Sequence, residues 1–507
     1  MVRTGSALAI VAVLAAGTAG CGNQGEKKTV IADPVAEALA HAPADAALLA
    51  VVTTDPAIGP GRAAARLTAR FAGGALVIGQ ARAMLTGRLG LDERELGPLL
   101  AHPAVVWSPD GSMARCFAAW VVRDEERLGE LLAARVRTGA LEEVPAPGGD
   151  AVRGEAARYT GRGGGAFARR GPLLVGAPDL ASLDDVLRRR AGGRGQWSRA
   201  LLRERDLGLA EPDAVARVLL DAQALVVRAD PAYARIRWVA GIRRAVITAT
   251  PEAGGLRVRA RASTAGLRAA DLPIATGVAP PQTRGTGRLV AAVRGPRQAL
   301  AFVREVTDLL DPRRLAALRQ VEDVLGRYAR VSAQADLLDR LTGTATLTSP
   351  DGRRLTLRAE LDDPVRTADA LERVGALARF GRPLADLAGI DLGGLDVQES
   401  GGRSAITQDG RLLGALAVVD GVLVASNDPD ADLVAAARAP EAAAPAPAAG
   451  ALRTTVDSEL VKDLLVARLG LPAFARGALA PLGDVILTAR GEVGVLDAQV
   501  VVPVAAP

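Results

Sequence analysis

An α+β class follows from three features of the chain. The tetrapeptide Ser108-Pro109-Asp110-Gly111 returns as Ser349-Pro350-Asp351-Gly352, and each is a tight-turn sequence in which proline presets φ and glycine reaches φ > 0. Beyond the second copy, Leu355, Leu357, Ala359 and Leu361 alternate with Arg354, Thr356, Arg358 and Glu360, the period of a strand with one buried and one wet face. A helix start comes next in both places, at Asp124 and at Asp363-Pro364, where an acid caps free N–H groups and proline fits the first turn. Strands paired by local hairpins with helices packed on one face give a mainly antiparallel architecture.

The same order of signals recurs along the chain. Arg170 to Gly176 followed by Asp179 corresponds to Asp420 to Ser426 followed by Asp428-Pro429, a turn, a strand and a capped helix. Ala245 to Thr250, a turn and Leu256 to Val258 correspond to Asp484 to Ala489, a turn and Val495 to Asp497. The separation stays near roughly 240 residues, far longer than a solenoid repeat. A tandem duplication is therefore expected, with one unit at residues 38–268 and a similar one at 275–507, after a signal segment at 1–20 and a polar tether at 21–37. Cys116, shared on a strand face with Ala118 and Trp120, is expected opposite Leu357 of the second copy as an inert buried thiol, and Trp120 opposite Leu361. The helix after Asp363 is expected to bury Val365, Ala368, Leu371 and Val374.

At the start of the chain, Arg3 precedes a short apolar run that ends in small residues and a cysteine, Thr18-Ala19-Gly20-Cys21. A cationic start, a short apolar centre and small residues before the cut make a secretory signal, too short to span a bilayer comfortably as a mature helix. This stretch resembles the lipobox of bacterial lipoproteins, although Thr18 stands where that motif most often has Leu. An uncleaved anchor and a plain secretory signal are the alternatives. The resemblance implies that Cys21 is acylated and becomes the mature N-terminus, and that Gly22, lacking the acid of inner-membrane retention signals, directs the protein to the outer membrane. With Cys21 lipidated, Cys116 has no partner for an intramolecular disulfide, and the exported chain stands on its hydrophobic core.

Composition and charge narrow the partners. The formal charge is +5 with 23% charged residues, so acids nearly balance bases, and the densest clusters, Arg188 to Arg190 and Arg203 to Asp206, read as solvated helix faces. No nucleic-acid partner is expected. Paired acids at Asp124 to Glu126, Asp184-Asp185 and Asp362-Asp363 lie near helix starts, where capping and the helix dipole explain them. Asn427 to Asp432 begins like a calcium loop, but Leu433 stands where the loop needs glycine. Gly161 to Gly165 precedes a strand and so has no helix dipole to hold a phosphate. His41 and His102 have no ligand-spaced partner, which leaves no zinc site and no Ser-His triad, and Ala435 to Pro447 reads as a Pro/Ala linker. No catalytic residue, cofactor or metal is expected.

A second, diffuse resemblance is to an uncharacterised family of bacterial envelope proteins, through the Pro43-Ala44-Asp45 opening, the strand that follows, an Asp-started helix and the late Gly-x-Leu-Leu-Val hairpin. Pro280-Pro281-Gln282 replaces that opening in the second unit. The combined expectation is a lipid-anchored envelope protein that binds or scaffolds, with an envelope protein as partner. A carrier of an apolar ligand between helix and sheet is the alternative, and a carboxylate hydrolase comes last.

Overall fold

The computed structural model describes residues 31–506 apart from 54, 56–58, 73–94, 96–98, 100–101, 146–155, 193–194, 230, 278, 311–315, 317–318, 320–321, 324, 389–394, 401–402, 409, 441–449 and 470–474. The signal segment, Cys21 and most of the tether lie outside the described residues. The fold is α+β, and all of its strand pairs within the main ladders are antiparallel.

The first half carries β1 (Leu48–Val52), β2 (Ala104–Ser108), β3 (Phe117–Val121), β4 (Leu141–Val144), β5 (Ala157–Gly161), β6 (Ala166–Arg170), β7 (Leu173–Ala177), β8 (Ala216–Asp221), β9 (Ile242–Glu252) and β10 (Gly255–Thr264). The second carries β11 (Leu289–Arg294), β12 (Leu341–Ser349), β13 (Thr356–Leu361), β14 (Leu395–Ser400), β15 (Arg403–Gln408), β16 (Arg411–Val419), β17 (Val422–Ser426), β18 (Leu452–Val456), β19 (Val485–Glu492) and β20 (Val495–Pro503). Pairing runs β4-β5-β6-β7-β3-β2-β1-β8-β9-β10 in the first half. In the second it runs β14-β15-β16-β17-β13-β12-β11-β18-β19-β20, the same path strand for strand. The Ser-Pro-Asp-Gly sequences leave β2 and β12, the same place in both paths, and Gly111 and Gly352 take φ of 74° and 80° there. Asp110 and Asp351 fasten these turns by accepting from the backbone N–H groups of Ser112 and Arg354.

The two halves join edge to edge through β10 and β20, whose register runs from Gly255 opposite Pro503 to Ser263 opposite Val495. Ala249 pairs with Ala216 and Val258, and Ala489 pairs with Leu452 and Ala498, so Val258 and Ala498 occupy equivalent places. By the same count Arg259 and Gln499 are equivalent, and they face each other across the joint. Val258 faces Val500 while Ala260 faces Ala498, the reciprocal pattern of an isologous two-fold contact, here within one chain.

Helices cover both faces of the sheet. Helices α1 (Pro34–Leu39), α2 (Gly59–Thr68), α3 (Glu125–Arg137) and α4 (Leu180–Gly192) belong to the first half, and α5 (Pro296–Leu310), α6 (Pro364–Ala388) and α7 (Leu433–Ala437) to the second. On one face Val35 and Leu39 of α1 and Leu183 of α4 pack with Leu49, Trp107, Phe117 and Val175. Leu128 and Leu132 of α3 pack with Trp120 and Leu174, and Ala64 of α2 packs with Leu48, Ala50 and Val52. Leu48 and Leu49 are strand neighbours, so these cores lie on opposite sides. In the second half Leu371 of α6 packs with Leu423, while Leu433 of α7 packs with Val422 and Val424 on the other side. The expectation of helices on one face is thus corrected. Helices packed above and below the sheet bury both of its faces, and the alternation read from one strand saw only one of them.

Three further expectations shift. Helix α1 starts inside the stretch read as tether: Asp33 caps it at Ala36 N (3.0 Å), and the ion pair with Arg199 holds the Asp33 carboxyl down at about 2. In α6 Leu371 and Val374 face inward as expected, but Val365, 69% exposed, and Ala368 face outward and Thr367 and Ala370 are buried instead, because the Thr367 hydroxyl donates to the Asp336 carbonyl and brings a polar residue inside. In the first Ser-Pro-Asp-Gly hairpin a short 3-10 turn, Met113–Arg115, precedes β3. Register therefore places Ala118, not Cys116, at the position of Leu357, and Trp120 at that of Ala359. Cys116 lies half-buried just outside the strand.

Candidate functional site

The acids singled out from the sequence hold structural places. Asp124 accepts from Arg127 N at 3.1 Å and Asp363 from Arg366 N at 3.0 Å, both as helix caps. Asp362 pairs with Arg297 and Arg340, Asp184 with Arg158, and Asp185 with Arg189. In the calcium-like stretch Asp432 caps α7 at Val434 and Ala435, while Asp428 receives Asp430 N and approaches Arg354. Gly161 to Gly165 is the β5–β6 hairpin turn, closed by Gly161 N to Gly165 O at 2.9 Å. Ala435 to Ala437, read as linker, forms the end of α7, and 441–449 lie outside the described residues. His41 is 6% exposed and donates from Nδ1 to the Glu37 carbonyl at 3.0 Å; burial pushes its pKa down. Burial also lowers His102, which lies near Asp55 and Arg123. Among the described residues no group of three or more His, Cys, Asp or Glu side chains is placed to hold a metal, and no helix is long and apolar enough to cross a membrane.

The structure instead draws charge together at the joint. Asp497 of β20 is 8% exposed and receives Arg261 Nη2 at 2.8 Å and Arg490 Nη2 at 2.9 Å, with Arg259 Nη2 at 3.9 Å. Arg261 and Arg490 are its direct cross-strand partners on either side. Arg259 turns its other nitrogen to Glu211 at 3.0 Å, and the Thr250 hydroxyl donates to the same carboxylate. A buried carboxylate flanked by guanidiniums favours one register, because any slip strands a charge away from water.

A second polar feature lies on the same face. One row of directly paired residues crosses it: Ala168, Val175, Ala119, Val105, Val51, Arg217, Thr248 and Arg259 in the first half, then Gln499, Thr488, Arg453, Ala292, Thr346, Arg358, Val424 and Ala417. Arg217 and Arg453 recur at equivalent places, as do Thr248 and Thr488. Elsewhere the halves differ in chemistry. Where the first half has Val105 and Ala119, the second has Thr346 and Arg358, 1% and 9% exposed. In the adjoining positions Trp107 and Phe117 stack at 5.6 Å, whereas the second half has Thr348 and Thr356. Helix α1 roofs the first floor. Over the second, the non-helical residues 279–287 carry Arg284 next to Gly285, whose α-carbon faces the Thr348 methyl.

Arg358 was read from the sequence as a wet-face residue; its Nε donates to the Ala437 carbonyl at 3.1 Å and its Nη1 lies 3.8 Å from Glu360. Burial, then the nearby Arg284, lower its pKa from the usual arginine value. The signal that could have found it is the comparison of the two copies, which sets a charge against an apolar residue, Phe117 in the sequence alignment and Ala119 in the strand register. A separate open cavity of about 290 Å³ beside α5 has a mixed lining of charged side chains, Arg297, Arg304, Glu305 and Arg319 among them, and apolar ones such as Leu300 and Leu338.

No family model matches the sequence, and no curated protein matches it. Among solved structures, crystal form IV of TP0453 aligns with 46% of this chain and 80% of its own at 7% identity and a TM-score of 0.28. Crystal form III aligns with 47% and 82% at 6% identity and 0.28, and crystal form I with 48% and 82% at 9% identity and 0.28.

Proposed function

We propose that this chain is a lipid-anchored protein of the bacterial cell envelope, built from a duplicated α+β unit, that works by binding or scaffolding. The observation that carries the reading is the use of its acids. Asp124, Asp363 and Asp432 cap helices, Asp362 and Asp185 pair with arginines, and Asp497 ties the joint, so the paired carboxylates of the sequence serve to hold an extended sheet together. Such a scaffold offers its connecting loops and the outer surfaces of its covering helices to a partner.

Attachment rests on Cys21, whose several acyl chains, at about 0.8 kcal/mol per buried CH₂, give stable anchoring. Intact mass spectrometry of protein extracted from its native membrane tests this. The expected result is a chain beginning at Cys21 with a diacylglyceryl adduct, lost in Cys21→Ala together with most of the membrane-bound fraction. An unmodified mature N-terminus, or a Cys21→Ala protein that fractionates as the wild type does, contradicts the anchor.

A further inference from the structure

The floor of the second half holds positive charge that the fold itself does not require. Its counterpart in the first half is closed by Val105, Ala119, Trp107 and Phe117, which shows that this strand path is satisfied by an apolar core. In the second half Arg358 is buried at the equivalent of Ala119, and among the described residues the carboxylate that pairs with it is Glu360, 3.8 Å away. Arg284 stands nearby on residues 279–287, half-buried, with Gln282 Oε1 at 3.5 Å as its contact; among the described residues no carboxylate pairs with it. Two groups there are buried and lack a hydrogen-bond partner, Arg284 Nε and Thr346 Oγ1. Unmet buried donors cost about 1–3 kcal/mol each, and a buried cation without a matched counter-charge costs more. An oxyanion removes both penalties, since guanidiniums bind it through paired N–H groups and a threonine hydroxyl supplies a further donor.

We infer that Arg284, Arg358 and Thr346 form a binding site for a small oxyanion of the phosphate class, either free or as the headgroup of an anionic lipid. Arg358 is held by its bond to the Ala437 carbonyl and lies directly across the ladder from Thr346, while Arg284 comes from residues 279–287, whose Gly285 sits against the Thr348 methyl of the same floor. The lowered pKa of Arg358, caused by burial and by Arg284, accords with a cationic pair awaiting an anion. Thr348 and Thr356 extend the polar floor beside them. This site is independent of the lipid anchor.

Isothermal titration calorimetry on the full chain in neutral detergent tests the inference, with inorganic phosphate titrated against chloride at matched ionic strength, and short-chain phosphatidylglycerol against phosphatidylcholine. Saturable binding of phosphate or of phosphatidylglycerol is expected, at least tenfold weaker in Arg284→Gln and unchanged in Arg438→Gln, an exposed arginine paired with Asp420. Binding of phosphate identifies a free anion as sufficient, whereas binding of phosphatidylglycerol alone identifies the headgroup. Arg358→Ala, which installs the residue of the first half, is expected to abolish binding. If that buried substitution fails to fold, Arg284→Gln decides alone, because its side chain is half-exposed. Absence of saturable binding to both ligands, or equal affinity in Arg284→Gln and wild type, overturns the site.

Discussion

His41 shows how a single side chain couples this core to pH. It is 6% exposed and neutral, with Nδ1–H donating to the Glu37 carbonyl one turn back, and burial lowers its pKa below the unfolded value of 6.5. The unfolded chain therefore binds a proton that the folded chain resists. The stabilisation this gives is fully present above pH 6.5 and is lost as pH falls through the folded pKa. Urea denaturation at pH 7.5 and 5.5 is expected to show wild type losing stability at the lower pH, with a smaller loss in His41→Gln. Equal losses in both proteins contradict the assignment. Arg358 teaches a different lesson at the same scale. Its strand alternates so regularly that its place on the wet face follows from the sequence, yet burial is decided by α7 and residues 279–287, which are distant in the chain.

Among the elements, the parts set by local chemistry were legible and the parts set by tertiary contact were not. The hairpins at Ser108-Pro109-Asp110-Gly111 and Ser349-Pro350-Asp351-Gly352 form because the turn residues and the Asp110 and Asp351 carboxylates act within a few residues. The starts of α3 and α6 follow from Asp124 and Asp363 in the same way. In α6 the inward places of Leu371 and Val374 followed from the spacing, but that of Thr367 did not, because its inward turn depends on the Asp336 carbonyl. Nor was the β10–β20 joint visible: Arg257, Arg259 and Arg261 alternate along β10 in the manner of a solvated edge, and while Arg257 pairs with Glu252 of its own hairpin, Arg259 and Arg261 are explained by Glu211 and by Asp497 from β20. Removing one partner of a buried ion pair costs about 3–5 kcal/mol when the other charge is left behind. Asp497→Ala is expected to destabilise the chain by that amount in equilibrium denaturation, and a double-mutant cycle with Arg261→Ala is expected to return a coupling of roughly 1 kcal/mol or more. Independent, additive effects of the two substitutions contradict the charge lock.

In the whole molecule, two like-folded halves make one sheet through a reciprocal joint. The halves follow the same strand path while their interiors diverge, one floor aromatic and the other polar, as expected where turns and caps constrain the backbone more tightly than any one core composition does. Edge strands invite pairing with other chains, and here each half covers the β10-type edge of the other. Such a joint is most exposed to error in its register, because a slip of one residue turns every side chain to the opposite face. Cysteine cross-linking in a Cys116→Ala background measures that register directly. Val258→Cys with Val500→Cys, directly opposed across the joint, is expected to oxidise readily to an intramolecular disulfide, whereas Val258→Cys with Val501→Cys, which points to the other face, is expected to remain reduced. Efficient oxidation of the slipped pair, or failure of the opposed pair in a folded protein, contradicts the joint and with it the account of the two halves.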